Sequence, residues 1–171
     1  MSIIRICFVC SGNICRSPLA EGVFKHQVEQ AGLAGEFHIE SFGIGPWHVG
    51  EAPDPRAQQT ARRHGLRLTG RAQQFKPRDF ERFDLIVALD SEVAEYLRRL
   101  APTPADRDKV RLLRQHDPEQ AATGRRPRHG QAPDLDVPDP YYGGPEGFEA
   151  AYQIIERSGR ALLAHLRPTA A

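Results

Sequence analysis

A cysteine and an arginine, Cys10 and Arg16, frame the most chemically informative segment of this chain of 171 residues. The segment follows an apolar run at Ile3–Val9 that predicts a buried β-strand, and it leads into a predicted helix with Pro18 in its first turn. Backbone N–H groups in a tight loop between a strand and a helix favour an anion, and an arginine adds a planar fork that matches phosphate oxygens. The same field favours the thiolate form of Cys10. The segment therefore predicts a phosphate site with a nucleophile at its base.

Other residue types in the segment fit this interpretation. Gly12 and Asn13 tolerate the positive φ that a tight anion cradle requires. Arg16 opposes the dipole at the start of a helix, so its placement needs a compensating anion. Ser17 is suited to capping a helix that begins at Pro18. The alternative for Cys10 is a buried structural thiol, but that alternative explains neither the arginine nor the Gly-Asn pair.

Four later segments, together with the first loop, have a pattern that is similar to a known family. In chain order they are Ser41–His48, Arg71–Gln74, Phe83–Asp90 and Val137–Gly144. The combination resembles the low-molecular-weight protein tyrosine phosphatases, and the matching stretches extend from Ile3 to about Leu166. The resemblance implies hydrolysis of phosphotyrosine through a cysteinyl-phosphate intermediate, without a cofactor or a metal ion.

The resemblance also implies roles for individual residues. Cys10 is the expected nucleophile, Arg16 the expected phosphate ligand and Asp139 the expected general acid. Ser17 is implied to hydrogen-bond the thiolate, and Cys15 to form a reversible disulfide with Cys10. The residues expected to contact phosphate or substrate are Ser11, Gly12, Asn13, Ile14, Cys15, Ser17, Trp47 and Tyr141.

Residue spacing alone leaves three candidates for the general acid. A leaving phenolate needs a proton, and a carboxyl group beside the phosphate can donate it. Asp134, Asp136 and Asp139 lie close together in one acidic stretch, and spacing does not distinguish them. The resemblance selects Asp139, which stands in Asp-Pro-Tyr.

Three residues bear on the substrate. Trp47 and Tyr141 occupy Gly/Pro-rich loops, where aromatic walls would stack on a phenyl ring. The chain resembles the relatives that act on phosphotyrosine in having isoleucine at position 14. Relatives that act on phosphoarginine tend to have threonine at this position. A protein arginine phosphatase on the same scaffold remains the alternative enzyme. The resemblance to some relatives also implies that Tyr141 and Tyr142 are themselves targets of phosphorylation.

Other classes of function fit the sequence less well. Cys7 and Cys10 form a C-x-x-C pattern, but three residues of strand separate their Cα atoms by about 10 Å, beyond the roughly 7 Å that a disulfide spans. No cysteine follows Cys15 to relay a disulfide as arsenate reductases require. A zinc site lacks a second ligand pair, and a nucleotide cradle lacks its Gly-Lys-Ser/Thr ending. A phosphopeptide-binding domain without catalysis would not need both Cys10 and Asp139.

The predicted fold is a single α/β domain over residues 1–171, with a four-stranded, mainly parallel sheet, helices on both faces and the phosphate loop after the first strand. Residues 115–133, rich in Gly, Pro and charge, are expected to form a mobile loop. The predicted strands are Ile3–Val9, Phe37–Phe42, Asp84–Leu89 and Val110–Leu113. The predicted helices are one from Pro18 that ends before Gly32, Asp54–His64, one capped by Asp90 or Ser91 that reaches Leu100, and Glu146–Leu166.

Bulk properties indicate the setting in which the protein works. Lys and Arg number 23 against 22 Asp and Glu, a formal charge of +1 that suggests neither a nucleic-acid partner nor a membrane surface. Three cysteines crowded near the N-terminus make a poor disulfide framework, so a reducing cytoplasm is expected. The expected partner is a tyrosine-phosphorylated protein, with a bacterial tyrosine kinase as one candidate, and the expected state is a monomer or weak dimer.

Overall fold

The computed structural model describes residues 2–122 and 134–167. Its four strands form one sheet in the order β2-β1-β3-β4, and all three neighbouring pairs are parallel. The strands are β1 (Ile4–Cys10), β2 (Phe37–Gly43), β3 (Leu85–Ala88) and β4 (Val110–Leu112). The predicted sheet is confirmed, and each observed strand overlaps its predicted range.

Six helices surround the sheet in the described part of the chain. They are α1 (Arg16–Gln30), α2 (Pro55–Arg63), α3 (Ser91–Leu100), α4 (Pro104–Asp108), α5 (Pro118–Ala122) and α6 (Pro145–Leu166). Short 3₁₀ turns occupy Ala34–Glu36, Pro77–Glu81 and Leu113–His116. The sequence pattern did not predict α4 and α5, which are five residues long and too short to show a periodicity.

Side chains that alternate along β1 separate two hydrophobic cores. Ile6 and Phe8 join the core formed with α1 and α6, where the Phe8 and Phe24 rings pack edge to face at 5.5 Å. Cys7 and Val9 face the core on the α3 side. Because successive side chains of a strand point to opposite faces, a strand covered on both faces reads as the continuous apolar run of the sequence.

The expected mobile loop at residues 115–133 is wrong for its first part, which contains a 3₁₀ turn and α5. Buried Asp117 anchors this part by accepting hydrogen bonds from Arg157 at 2.8 and 3.1 Å and from Arg114 at 3.2 Å. Burial favours the protonated acid, but these hydrogen bonds hold the pKa of Asp117 below its usual value. Residues 123–133 lie outside the described residues.

Candidate active site

Cys10 ends β1 at the carboxyl edge of the sheet, at the base of a cleft of about 270 Å³. Ligands of open parallel sheets bind at this edge. The cleft is lined by Cys10, Ser11, Gly12, Ile14, Cys15, Arg16, Trp47, His48, Asp139, Tyr141 and Tyr142. The structure therefore brings together nine of the eleven predicted site residues around one opening. The other two, Asn13 and Ser17, are buried close beside Cys10 and hydrogen-bond to each other.

Asn13 gives the loop its shape. Its φ of 58° is the only positive φ of a non-glycine residue in the described part of the chain, as the sequence predicted for Asn13. Its side-chain amide donates to Ser17 Oγ at 2.8 Å and to Ser41 Oγ at 3.0 Å, and its oxygen accepts from the Gln73 N–H at 2.9 Å. These bonds hold a conformation that would otherwise be costly.

The prediction of a positive φ at Gly12 is wrong, and the glycine has a different reason there. A β-carbon at Gly12 would lie 2.9 Å from the ring of His48, so a side chain there would require the imidazole to shift. The neighbouring strand imposes a second close approach. A β-carbon at Gly43 would lie 2.8 Å from the carbonyl oxygen of Ser11. The loop is therefore packed backbone to backbone against the end of β2.

Ser17 contacts the predicted nucleophile rather than capping a helix. The helix begins at Arg16, so Ser17 lies inside α1. Its Oγ lies 2.9 Å from Cys10 Sγ, and the backbone N–H of Asn13 donates to the same sulfur at 3.3 Å. The Ser17 hydroxyl is also within 3.3 Å of the Phe42 carbonyl oxygen, to which it can donate. Ser17 therefore lies beside the sulfur as the resemblance implied, and the alternative of a helix cap alone does not hold.

Arg16 is buried, and its compensating anions are carboxylates of the protein. Its Nη1 donates to Asp90 Oδ2 at 2.7 Å and to the Val137 carbonyl at 3.0 Å, while Nη2 lies 3.6 Å from Asp139 Oδ2. Burial alone would lower the pKa of Arg16, but the Cys10 thiolate, Asp90 and Asp139 raise it above its usual value. A permanently charged guanidinium is thus held at the cleft.

Asp90 is a site residue that the sequence analysis identified only as a helix cap. One carboxylate oxygen accepts the Val93 N–H at 2.8 Å as the cap of α3, and the other holds Arg16. A signal for this role was present, because Asp90 follows β3 closely and β3 is the neighbour of β1 in the sheet. Carboxyl ends of adjacent parallel strands lie at the same edge.

The three acidic residues of the late loop have different surroundings. Asp136 accepts hydrogen bonds from the N–H and the hydroxyl of Ser91 at 2.7 and 2.6 Å, and Asp134 faces Arg114 at 3.7 Å. Asp139 is the one of the three that lines the cleft, and its side chain is 47% exposed. Geometry therefore separates the candidates that spacing left equal.

Aromatic residues form the rim of the cleft. Trp47 is 66% exposed, Tyr142 93% and Tyr141 37%. Gly45 lies directly against the Trp47 ring, where a β-carbon would overlap the indole. His48 also lines the cleft, with Nδ1 2.6 Å from Glu51 Oε2, although the sequence analysis did not select it. Its place at the cleft follows from how the Ser41–His48 segment folds, which residue spacing does not reveal.

Cys15 and Ile14 lie on the α2 side of the loop. Both are buried in a small cluster with Ala57, Ala72 and Phe148. The pKa of the Cys15 thiol is raised to about 12. The largest cause is burial, followed by the charges of Asp54, Cys10 and Asp139. Cys15 is therefore a neutral thiol beside the predicted nucleophile.

We searched the rest of the described residues for a second groove with a cysteine, a metal site and a membrane-spanning helix. A larger groove of about 690 Å³ runs between α1 and α6, and no cysteine lines it. Within residues 2–122 and 134–167, no cluster of three His, Cys, Asp or Glu side chains is arranged to hold a metal ion. Among the same residues, no helix combines the length and apolar character needed to cross a membrane.

The sequence profile of the low molecular weight phosphotyrosine protein phosphatases matches residues 5–170. The chain belongs to this family. The resemblance inferred from the sequence is thereby confirmed, and the protein is a low molecular weight protein-tyrosine phosphatase that follows the family's general mechanism, through a cysteinyl-phosphate with an aspartic general acid. Its substrates are phosphorylated proteins.

Similar proteins cover nearly the whole chain. A low molecular weight protein-tyrosine-phosphatase of Streptomyces coelicolor is 50% identical over 163 residues, which are 95% of this chain and 93% of that protein. The crystal structure of Bacillus subtilis YfkJ has a TM-score of 0.82 and 35% identity, covering 97% of this phosphatase and 96% of that chain. The drosophila arginine phosphatase DARP has a TM-score of 0.83 and 32% identity, covering 97% and 99%.

Proposed function

We propose that Cys10, Arg16 and Asp139 carry out the phosphatase reaction in this cleft. The observation that supports this most directly is the position of Cys10 Sγ, which lies 2.9 Å from Ser17 Oγ at the base of the opening that Asp139 lines. The Cys10 thiolate attacks phosphorus and forms the P–S bond. The P–O bond to the leaving group breaks with its electron pair, and Asp139 donates a proton to the departing oxygen.

The second half of the reaction uses the same residues in reverse. The Asp139 carboxylate takes a proton from a water molecule whose oxygen attacks phosphorus, and the P–S bond breaks to restore the thiolate. Throughout, Arg16 and the N–H groups of residues 11–16 neutralise the phosphoryl oxygens. The carbonyl oxygens of Cys10 and Ser11 accept from the N–H of Ile44 at 3.0 Å each, which directs them away from the cleft and towards β2.

The preferred substrate is phosphotyrosine, and Ile14, Trp47 and Tyr141 support this choice. All three line the cleft, and an aryl ring that enters it gains dispersion and stacking contacts with them. A phosphoserine side chain has no ring and makes none of these stacking contacts. The similarity to an arginine phosphatase makes phosphoarginine hydrolysis the second candidate. Ile14 provides no hydrogen bond to that planar polar group, which disfavours phosphoarginine.

We expect kcat/KM to be higher for phosphotyrosine than for phosphoserine and phosphoarginine, and Ile14→Thr to raise hydrolysis of phosphoarginine. The measurement is a side-by-side assay of the three phosphoamino acids in peptides, with EDTA present because the charge is handled by protein groups. Ile14→Val serves as the control, since it changes volume without adding a hydroxyl. A wild-type preference for phosphoarginine would overturn the substrate assignment and leave the mechanism intact.

Cys15 is proposed to protect the nucleophile during oxidation. Peroxide oxidises the Cys10 thiolate to a sulfenic acid and is itself reduced, leaving as hydroxide. The Cys15 sulfur then attacks the sulfenic sulfur, the S–S bond forms as the S–OH bond breaks, and the hydroxyl group leaves as water with the proton of the Cys15 thiol. Loss of the Cys10 negative charge removes one of the contributions that raise the pKa of Cys15. The first step thus favours the second.

We therefore expect peroxide to inactivate the wild-type enzyme reversibly. The Cys15→Ala variant should be inactivated irreversibly by the same treatment. Activity is measured before and after treatment with a thiol reductant, and mass spectrometry locates the products. Sulfonic acid at Cys10 in the wild type, without a Cys10–Cys15 disulfide, would contradict the protective role.

The cellular compartment, the substrate class and the oligomeric state are also proposals. Three free cysteines, with Cys10 required as a thiolate, support a reducing cytoplasm. A tyrosine-phosphorylated protein is the proposed substrate class, and a bacterial tyrosine kinase is one candidate within it. A monomer or weak dimer is proposed as the working state.

A further inference from the structure

The loop that contains Asp139 is hydrogen-bonded to the rest of the protein just before this residue. On the N-terminal side, Val137 donates to the Leu89 carbonyl at 2.8 Å and accepts from Arg16 at 3.0 Å. Asp139 itself is half-exposed and accepts from the Tyr141 N–H at 3.1 Å. Besides the Arg16 guanidinium at 3.6 Å, the position of Asp139 depends on how the backbone beyond it, at Tyr141, is held.

Arg56 holds that backbone. Its Nη1 donates to the carbonyl oxygen of Tyr141 at 2.9 Å, and its guanidinium carbon lies 5.4 Å from the centre of the Tyr141 ring. The same guanidinium lies 4.8 Å from the ring centre of buried Phe148 in α6. One side chain of α2 thus contacts both the loop and the helix that follows it.

Arg56 is in turn fixed by Asp54. The guanidinium donates from Nε to Oδ1 at 3.1 Å and from Nη2 to Oδ2 at 3.0 Å, a two-point geometry that leaves it little freedom. Asp54 is tied to the phosphate loop, because its own N–H donates to the Ile14 carbonyl at 2.8 Å. The contacts form a continuous path from Ile14 through Asp54 and Arg56 to Tyr141 and Asp139.

Local helix stability does not explain an arginine at this position. Arg56 is the second residue of α2, where a cation opposes the helix dipole. The cap of α2 needs only the backbone N–H of Arg56, which donates to Asp54 Oδ1 at 2.8 Å and which any residue except proline would supply. The side chain is therefore available for another purpose.

We propose that Arg56 is a positioning residue that sets the distance between the general acid and the phosphate loop. This inference rests on the proposed role of Asp139. Arg56 lies outside the residues that line the cleft, and it acts by fixing the Tyr141 backbone from which Asp139 is oriented. Without this tie, Asp139 spends less time where it can protonate the leaving oxygen, while the phosphate loop keeps its own bonds.

The test compares kcat/KM for aryl phosphates whose leaving groups differ in basicity, because kcat/KM reports the step that forms the P–S bond. For Arg56→Met, the expected loss is about tenfold to a hundredfold on phenyl phosphate, the scale of a misplacement near 1 Å. On difluoromethylumbelliferyl phosphate, whose leaving group departs without a proton, the loss should stay within about threefold. Equal losses on both substrates would overturn the proposal.

Three further measurements separate positioning from a general structural effect. In an Asp139→Ala background, Arg56→Met should lower kcat/KM by less than about a further twofold. The reason is that the effects of two residues that act through one group are not additive. The dissociation constant for inorganic phosphate should stay unchanged. Arg56→Lys should recover part of the loss without the two-point geometry. Any one of three outcomes would refute the proposal. The losses of kcat/KM from Arg56→Met and Asp139→Ala would multiply in the double variant, the affinity for phosphate would fall together with kcat/KM, or a folded Arg56→Lys protein would show no recovery.

The matched control is Arg62→Met on an exposed face of the same helix, where Arg62 contacts Gln58 at 3.4 Å. It should leave both substrates unaffected. The Asp139→Ala variant distinguishes the two levels of failure. If it shows no loss that depends on the leaving group, the acid assignment fails. If it does and Arg56→Met does not, the positioning role alone fails.

Discussion

Cys10→Ser should lower turnover of phosphotyrosine by at least about 10⁴-fold, the scale seen when a covalent nucleophile is removed. A serine hydroxyl at the base of the cleft is not ionised near neutral pH and cannot form the P–S bond. The bonds that shape the loop come from Asn13, Ser17 and Ser41, so they persist in the variant. Phosphate or vanadate should therefore still bind, as measured by calorimetry alongside the activity assay.

The control for this variant lies in the same strand. Cys7→Ala removes a thiol that faces the opposite core and does not line the cleft. Burial raises the pKa of Cys7 well above its usual value, so it is an inert thiol at neutral pH. Activity should survive in Cys7→Ala at temperatures at which the variant is folded. Substantial phosphatase activity in Cys10→Ser would reject the covalent mechanism.

Asp139→Ala should lower kcat/KM for phosphotyrosine by about 10²–10⁴-fold, the usual contribution of general acid catalysis. The loss should shrink as the leaving group becomes less basic, because an aryl oxide that is stable in water needs no proton. The measurement is a series of aryl phosphates assayed with the wild type and the variant. A steeper dependence of rate on leaving-group basicity in the variant is the expected signature.

Asp134→Ala is the matched control for the acid. The Asp134 side chain is 73% exposed and lies 3.7 Å from Arg114, outside the cleft. This variant should retain nearly full activity with an unchanged dependence on the leaving group. A larger loss in Asp134→Ala or Asp136→Ala than in Asp139→Ala would show that the acid has been assigned to the wrong residue.

Features determined by neighbouring residues in the chain were predictable from the sequence. Asp54 and Asp90 cap α2 and α3 as their residue types suggested, and Gly32 follows α1 with a φ of 73°. Capping and left-handed glycine depend on atoms a few residues apart, so the sequence pattern contains the information. The alternation of buried strands and helices likewise fixed the parallel sheet.

Features determined by distant residues were not predictable in the same way. The choice of Asp139 depends on Asp136 being held by Ser91, which is 45 positions away in the sequence. The order of residues 115–122 depends on Asp117 meeting Arg157, 40 positions away. The tie between Arg56 and Tyr141 spans 85 positions. Composition and periodicity carry no signal for such pairs.

The bonds of Asn13 have a consequence for inhibition. Since the amide of Asn13 and its partners Ser17, Ser41 and Gln73 hold the loop in shape, binding an oxyanion requires little ordering of the protein. A cradle built in advance accepts free phosphate as well as the phosphoryl group of a substrate. Inorganic phosphate, the product, is therefore expected to compete with the next substrate for the same loop. An inhibitor that carries an aryl group beside its oxyanion can gain additional contacts with the aromatic rim at Trp47 and Tyr141.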